Sequence, residues 1–151
     1  MNHNLDNAAT PNLLRRLAAI LYDLLLVAGL LMLATALVTI PVDLFLGQEA
    51  AGQLGDNLLF RLWLLAVPPA FFIGFWRLGG QTLGMHAWRM KMVSVTAERV
   101  SWGQATLHFF AALLSWLPFG LGFFWSLFEP EHRTWHDKLS GTRMVMLAKK
   151  S

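Results

Sequence analysis

At 151 residues the chain has room for one domain, and 56% apolar against 14% charged residues sets it apart from soluble domains, which carry about 25% charge. That leaves no room for a separate soluble enzyme, and the lack of cysteine excludes disulfides, thiol chemistry and thiolate metal sites. The net charge of +3 is modest and no basic run exceeds two residues, so it speaks of membrane topology rather than nucleic acid.

Residues 1–12 are polar and read as a disordered tail, with a helix starting near Thr10 or Asn12. The first hydrophobic segment, residues 13–40, is apolar or small from Leu17 to Thr39 apart from Tyr22, Asp23 and two threonines. At 1.5 Å per residue that run makes roughly 34 Å of helix, enough to cross a hydrocarbon core of about 30 Å. It is far longer than the roughly 7–15 apolar residues of a signal peptide, so a retained transmembrane helix is expected. Arg15 and Arg16 stand at its start. Asp23 lies inside it, where lipid exposure would cost about 2.5–3.5 kcal/mol, so it should face protein or trapped water. Arg16 and Asp23 are two turns apart and share a face, with Arg16 above.

Residues 41–57 hold Asp43, Glu49 and Asp56 but no lysine or arginine. A loop of that kind beside a basic N-terminal flank belongs outside, with the N-terminus in the cytoplasm. The second segment is residues 58–76. Arg61 can snorkel at its outer end, and Trp76 and Arg77 mark its inner end. Pro68-Pro69 should kink it, either for packing or as a break lining a pathway.

Residues 79–103 are polar and carry Arg89, Lys91, Glu98 and Arg99, which places them in the cytoplasm. Residues 81–88 suit a short interfacial helix laying Leu83, Met85 and Trp88 on the membrane surface. Strict alternation over residues 89–96 predicts a strand, and residues 142–147 are a second candidate. A lone strand is unstable, so the two should pair on the cytoplasmic face. Met85, Met90, Met92, Met144 and Met146 read as adaptable packing rather than a copper site.

The third segment, residues 105–128, begins near His108 and is broken by Pro118, Gly120 and Gly122. One clean crossing would leave Arg133, Lys138, Arg143, Lys149 and Lys150 outside and would separate the two strands. A helical hairpin turning at residues 118–122 removes both conflicts, although the acidic Glu129 and Glu131 lend the single crossing some support. Residues 148–151 are a basic tail. The fold class is therefore all-α membrane protein: a small helical transmembrane bundle with a short two-stranded β element.

Three stretches stand out together: residues 15–23 (RRLAAILYD), 80–85 (GQTLGM) and 134–142 (TWHDKLSGT). In this order around these hydrophobic segments, residues 13–147 resemble the RDD family of bacterial membrane proteins. The resemblance places the family's arginine at Arg16, its first aspartate at Asp23 and its second at Asp137, with the glycine box on Gly80, Gln81, Thr82 and Gly84. Met85 stands where a lysine is common in the family, and His108 where an arginine often begins the third segment. It implies a multi-pass protein of the bacterial inner membrane and a suspected transport role.

The residues admit bland readings too. Asp23 can be a carboxylate held by Arg16, Arg77 or a backbone group, or a proton- or cation-binding group tuned by burial and a nearby cation. Asp137 can be a helix cap or a salt-bridge partner at the membrane surface. His132 and His136 are four apart, but no third ligand lies at matching spacing, so no metal site is expected. The glycine box suits close backbone approach better than a phosphate cradle. No nucleophile motif or spaced carboxylate pair supports an enzyme, and no cofactor is implied.

Two functional classes follow. One is transport of a small solute or ion, with Arg16, Asp23 and Asp137 as principal residues, and His108, His136 and the glycine box as secondary ones. The other is a non-transporting scaffold or accessory subunit. Few spans and no internal repeat favour a homo-oligomer or a membrane-protein partner within the bilayer.

Overall fold

A computed structural model describes residues 8–97, 99–117, 120–130 and 132–148. Residues 1–7 of the tail, Glu98, Pro118, Phe119, Glu131, Lys149, Lys150 and Ser151 lie outside the described residues.

Helix α1 spans Leu13–Leu46. It starts where Asn12 Oδ1 accepts the Arg15 amide at 3.1 Å, a cap for an otherwise orphaned donor. It was expected to end at Ile40, yet it runs through Pro41 for another turn and a half. Proline lacks an amide donor, but that loss can kink a helix as well as end one, and here the helix continues. The helix stops at Gly47, whose φ of 87° lies in the left-handed region. The presumed loop is also largely helical: α2 covers Gln48–Gly52 and a 3₁₀ turn covers Gln53–Asp56.

Helix α3, Leu58–Leu78, passes through Pro68 and Pro69 without interruption. Asn57 caps it by accepting the amides of Leu59 and Phe60. Among the described residues, α1 and α3 are the two helices long and apolar enough to cross a membrane.

The chain divides into two compact units. Residues 24–71 form one, a helical hairpin in which Trp63 Nε1 donates to the Ala34 carbonyl at 3.1 Å. The other contains residues 1–23 and 72–151 and carries every candidate site residue. In it, α4 (Leu83–Ala87) precedes strand β1 (Met90–Ser94), and β2 (Thr142–Met146) pairs antiparallel with β1, Met90 opposite Met146 and Met92 opposite Met144. The expected pairing is present. The apolar core joins Ala19, Trp76, Met85, Met90, Met92, Val100, Ala105, Phe109 and Met144. Leu83 and Trp88 are exposed as expected, but Met85 is in this core and not on the surface, because α4 turns it toward the sheet methionines.

Both free edges of the ribbon are occupied. Gly80 O accepts from Met92 N at 2.7 Å, and Gln81 Nε2 donates to Met90 O at 2.7 Å. On the other side Met146 N donates to Ala9 O at 2.8 Å, so residues 8–12, read as part of a loose tail, are tied to β2.

The third segment begins with α5, Trp102–Trp116, opened by a capping box between Ser101 and Gln104. It bends by 108° into α6, Leu121–Phe124, and a 3₁₀ turn, Trp125–Leu127. This departs from a straight crossing in the direction the hairpin predicts, though the second arm is much the shorter. Gly122 permits the close approach: a Cβ there would lie 2.5 Å from Ser115 Cβ and Oγ. Helix α7, Trp135–Ser140, then leads through Gly141 (φ 63°) into β2.

Candidate functional site

Arg16 and Asp23 do not serve one another. Arg16, 5% exposed, points from α1 to the start of α7, where its Nη1 donates to Asp137 Oδ2 at 2.6 Å. Its Nη2 donates to His132 O at 3.2 Å, and its Nε to Pro11 O at 3.4 Å. The left-handed backbone of His132, φ 53°, presents that carbonyl.

Asp137 is held from a second direction. Thr134 and Asp137 form a capping box: Thr134 Oγ1 accepts the Asp137 amide, and Asp137 Oδ2 accepts the Thr134 amide at 3.1 Å. Both anticipated roles of Asp137, cap and ion-pair partner, fall on its Oδ2. Its Oδ1 is fully buried and accepts no hydrogen bond from any described residue.

Two histidines stand beside that oxygen. His108 Nδ1 lies 3.9 Å from Oδ1, and also 3.1 Å from both Ser140 Oγ and Thr142 Oγ1. The rings of His108 and His136 meet edge to face with centroids 4.8 Å apart. His136 Nδ1 lies 3.1 Å from Ser115 Oγ on α5. One ligating atom from each of His108, His136 and Asp137 lies within 4.8 Å of the others. Trp76 closes the His108 side and Phe123 the His136 side.

Burial disfavours ionisation of Asp137, but the Arg16 guanidinium, aided by the histidines, holds its carboxyl below the usual carboxylate range. Burial pushes His136 down to about 4 even though the Asp137 carboxylate opposes it. At neutral pH the cluster therefore holds the Arg16–Asp137 ion pair and an uncharged His136.

Asp23 has a separate setting. It is 2% exposed and accepts the Thr82 hydroxyl on Oδ2 and the Gly84 amide on Oδ1, the latter at 2.8 Å. Thr82 is also the cap of α4, accepting the Met85 amide at 3.1 Å. A Cβ on Gly84 would collide with the Ala19 carbonyl and lie 2.8 Å from Asp23 Cγ. Gly80 is left-handed (φ 70°), and a Cβ there would lie 2.7 Å from Met92 O. Gly80 and Gly84 thus work by close backbone approach, and Gln81 and Thr82 by side-chain hydrogen bonds, together fastening α1 to α4 and β1.

Of the residues anticipated from sequence, Arg16, Asp137, His108 and His136 come together, and Asp23, Thr82 and Gly84 form a second group. Gly80 and Gln81 complete the sheet edge. The placement of Arg16 above Asp23 as a working pair is not realised; each charge has its own partners. Sequence reasoning missed Thr134, Ser140, Thr142 and Ser115. Thr134 was findable, since Thr-x-x-Asp is a capping-box pattern, whereas the hydroxyls around the histidines carry no local signal.

The helices and the buried polar contacts define a small α-helical integral membrane protein whose Arg16 and Asp137 are paired inside the fold and whose apolar helix faces contact the bilayer. A family model, the RDD family, matches residues 10–141, and the chain belongs to that family. It is also similar to a protein of Rickettsia prowazekii (strain Madrid E) described only as uncharacterized, at 31% identity over 99 residues, 62% of this chain and 55% of that protein. The match thus spans about half the length of that relative. No solved structure matches the chain.

Proposed function

We propose that the protein is a multi-pass protein of the bacterial inner membrane that handles a small solute or ion at the Arg16–Asp137–His108–His136 cluster. The observation that carries this reading is Asp137 Oδ1, an ionised oxygen fully buried without a hydrogen-bond donor among the described residues. Buried polar atoms are rarely left so, and those that are point to a ligand, a water or a catalytic role. Asp23, the other candidate, accepts two good hydrogen bonds and is a fastening group in this reading. With two long spans and broad apolar faces on residues 24–71, the protein would act as a homo-oligomer or beside a membrane partner.

The test is flux into liposomes holding the purified protein, driven by a proton or cation gradient. His108→Asn should lower flux severalfold while leaving assembly intact. Flux no greater than in protein-free liposomes would remove transport. It would leave the second reading, a scaffold, which is favoured by the saturation of Arg16 and Asp23 with internal partners.

A further inference from the structure

We propose that His108, His136 and Asp137 form a binding site for a divalent first-row transition-metal ion, with zinc as the reference case. This deepens, and rests on, the reading of the cluster as a solute site.

The argument begins with protons. Ser115 Oγ donates to Ala111 O at 2.9 Å, so toward His136 it can only accept, and His136 Nδ1 carries the proton. Ser140 Oγ likewise donates to His136 O at 2.6 Å, so it accepts from His108 Nδ1 when Thr142 Oγ1, also 3.1 Å from that nitrogen, turns its own proton to Ser140 Oγ at 2.8 Å. In that arrangement each ring is the tautomer whose Nε2 bears a lone pair, which is how a hydrogen bond to one ring nitrogen prepares the other as a ligand. Asp137 is oriented in the same way. Arg16 and the Thr134 amide occupy Oδ2 and leave Oδ1, buried and without a donor, toward the histidines.

In that arrangement the cluster offers three lone-pair ligands, two imidazole nitrogens and Asp137 Oδ1. Two imidazoles and one carboxylate suit zinc, nickel, cobalt or copper, and not sodium, magnesium or calcium, which take oxygen ligands. Bonds of about 2 Å place tetrahedral ligands about 3.3 Å apart, so a 4.8 Å separation needs closure by about 1.5 Å. Three protein ligands leave a fourth position for a small ligand. The nearby Arg16 charge weakens the site, which argues for reversible binding rather than a permanent structural ion.

The test uses tag-free full-length protein in detergent, stripped with chelator and titrated with CoCl2. We expect one equivalent to bind, with the ligand-field absorption of four-coordinate cobalt, displaced by ZnCl2. Zinc should also raise the thermal unfolding midpoint. His108→Asn and His136→Asn keep an amide donor near the Nδ1 position and remove Nε2. Each should weaken binding by more than the roughly 10–100-fold that loss of an outer partner costs, and Ser115→Ala should fall within that range.

Should either variant fail to fold, X-ray absorption of the zinc-loaded wild type decides, with two imidazoles in the first shell expected. No saturable binding up to about 1 mM would overturn the proposal. So would binding unchanged in both variants, which would place the metal elsewhere. Flux without cobalt binding leaves the transport reading standing and sinks the metal site. Cobalt binding without flux supports the site and withdraws transport.

Discussion

Asp23 and Asp137 are both buried carboxylates, yet they are stabilised differently, and substitution should separate them. Asp23 leans on a hydroxyl and one backbone amide. Asp23→Asn replaces the acceptor toward Thr82 with an amide donor and forces the Thr82 hydroxyl to reverse its role, and should cost about 1–3 kcal/mol of stability with little effect on flux, read by thermal unfolding in detergent beside the liposome assay. Gly84→Ala should do at least as much harm, because the new methyl meets the Ala19 carbonyl. Asp137 leans on a full charge. Its lowered pKa contributes stability that is complete above the ordinary carboxylate value near 4 and is lost as pH falls below it. His136, lowered to about 4, is neutral in the fold while an unfolded histidine takes a proton below about 6.5. Stability should therefore decline from about pH 6.5 to 4 through His136, with Arg16, His108 and Asp137 as its charged and titratable neighbours, and fall further below 4 through Asp137. Unfolding midpoints measured from pH 8 to 3.5 check this, and His136→Asn should flatten the upper part of the curve.

At the scale of elements, what is legible in the sequence is what is local. The alternation at residues 89–96, the apolar runs of α1 and α3 and the cap at Asn12 need only neighbours along the chain. Pro41 misleads because a proline costs a helix one hydrogen bond and a clash with the preceding turn, which can kink the helix as well as end it. The partner of Arg16 is illegible for another reason: Asp137 lies 121 residues away, while Asp23 stands nearby on the same helix face. His108 and His136 are likewise joined only by the fold, so the spacing of His132 and His136 drew attention to the wrong pair. His132 in fact faces the Ser126 carbonyl. The α5–α6 bend yields the element-level prediction. Gly122→Ala forces the two arms apart at Ser115 and should cost about 1–3 kcal/mol, as overpacking does. An unchanged unfolding midpoint would mean the arms do not meet there.

For the whole molecule, the contact between Ala9 and Met146 constrains topology, since hydrogen-bonded backbones lie on one side of a membrane. The pairing of β1 with β2 adds the same demand. On the proposed multi-pass reading, crossings by α1 and α3 would return the chain to its starting side, and the bent third segment would enter and leave on that side. The lysine and arginine distribution favours the cytoplasm for that side. Reporter fusions after Met1 and after Ser151 should both give cytoplasmic signals, and a fusion within residues 47–57 a periplasmic one. A periplasmic signal after Ser151 would contradict the observed pairing in the membrane.

The span between Arg16 and Asp137 also sets a schedule. At roughly 5–20 residues per second of synthesis, Gly84 follows Asp23 after about 3–12 s, and Asp137 follows Arg16 after about 6–24 s. The first helix therefore enters the bilayer with both polar groups uncaptured. Asp23 is secured early, by the turn into α4, while Arg16 waits until nearly the whole chain has left the ribosome. A product that stops before Thr134 lacks the carboxylate that Arg16 meets in the fold. In a pulse-chase experiment a chain ending at Arg133 should disappear much faster than the full-length protein, and Arg16→Leu in that truncated chain should lengthen its life.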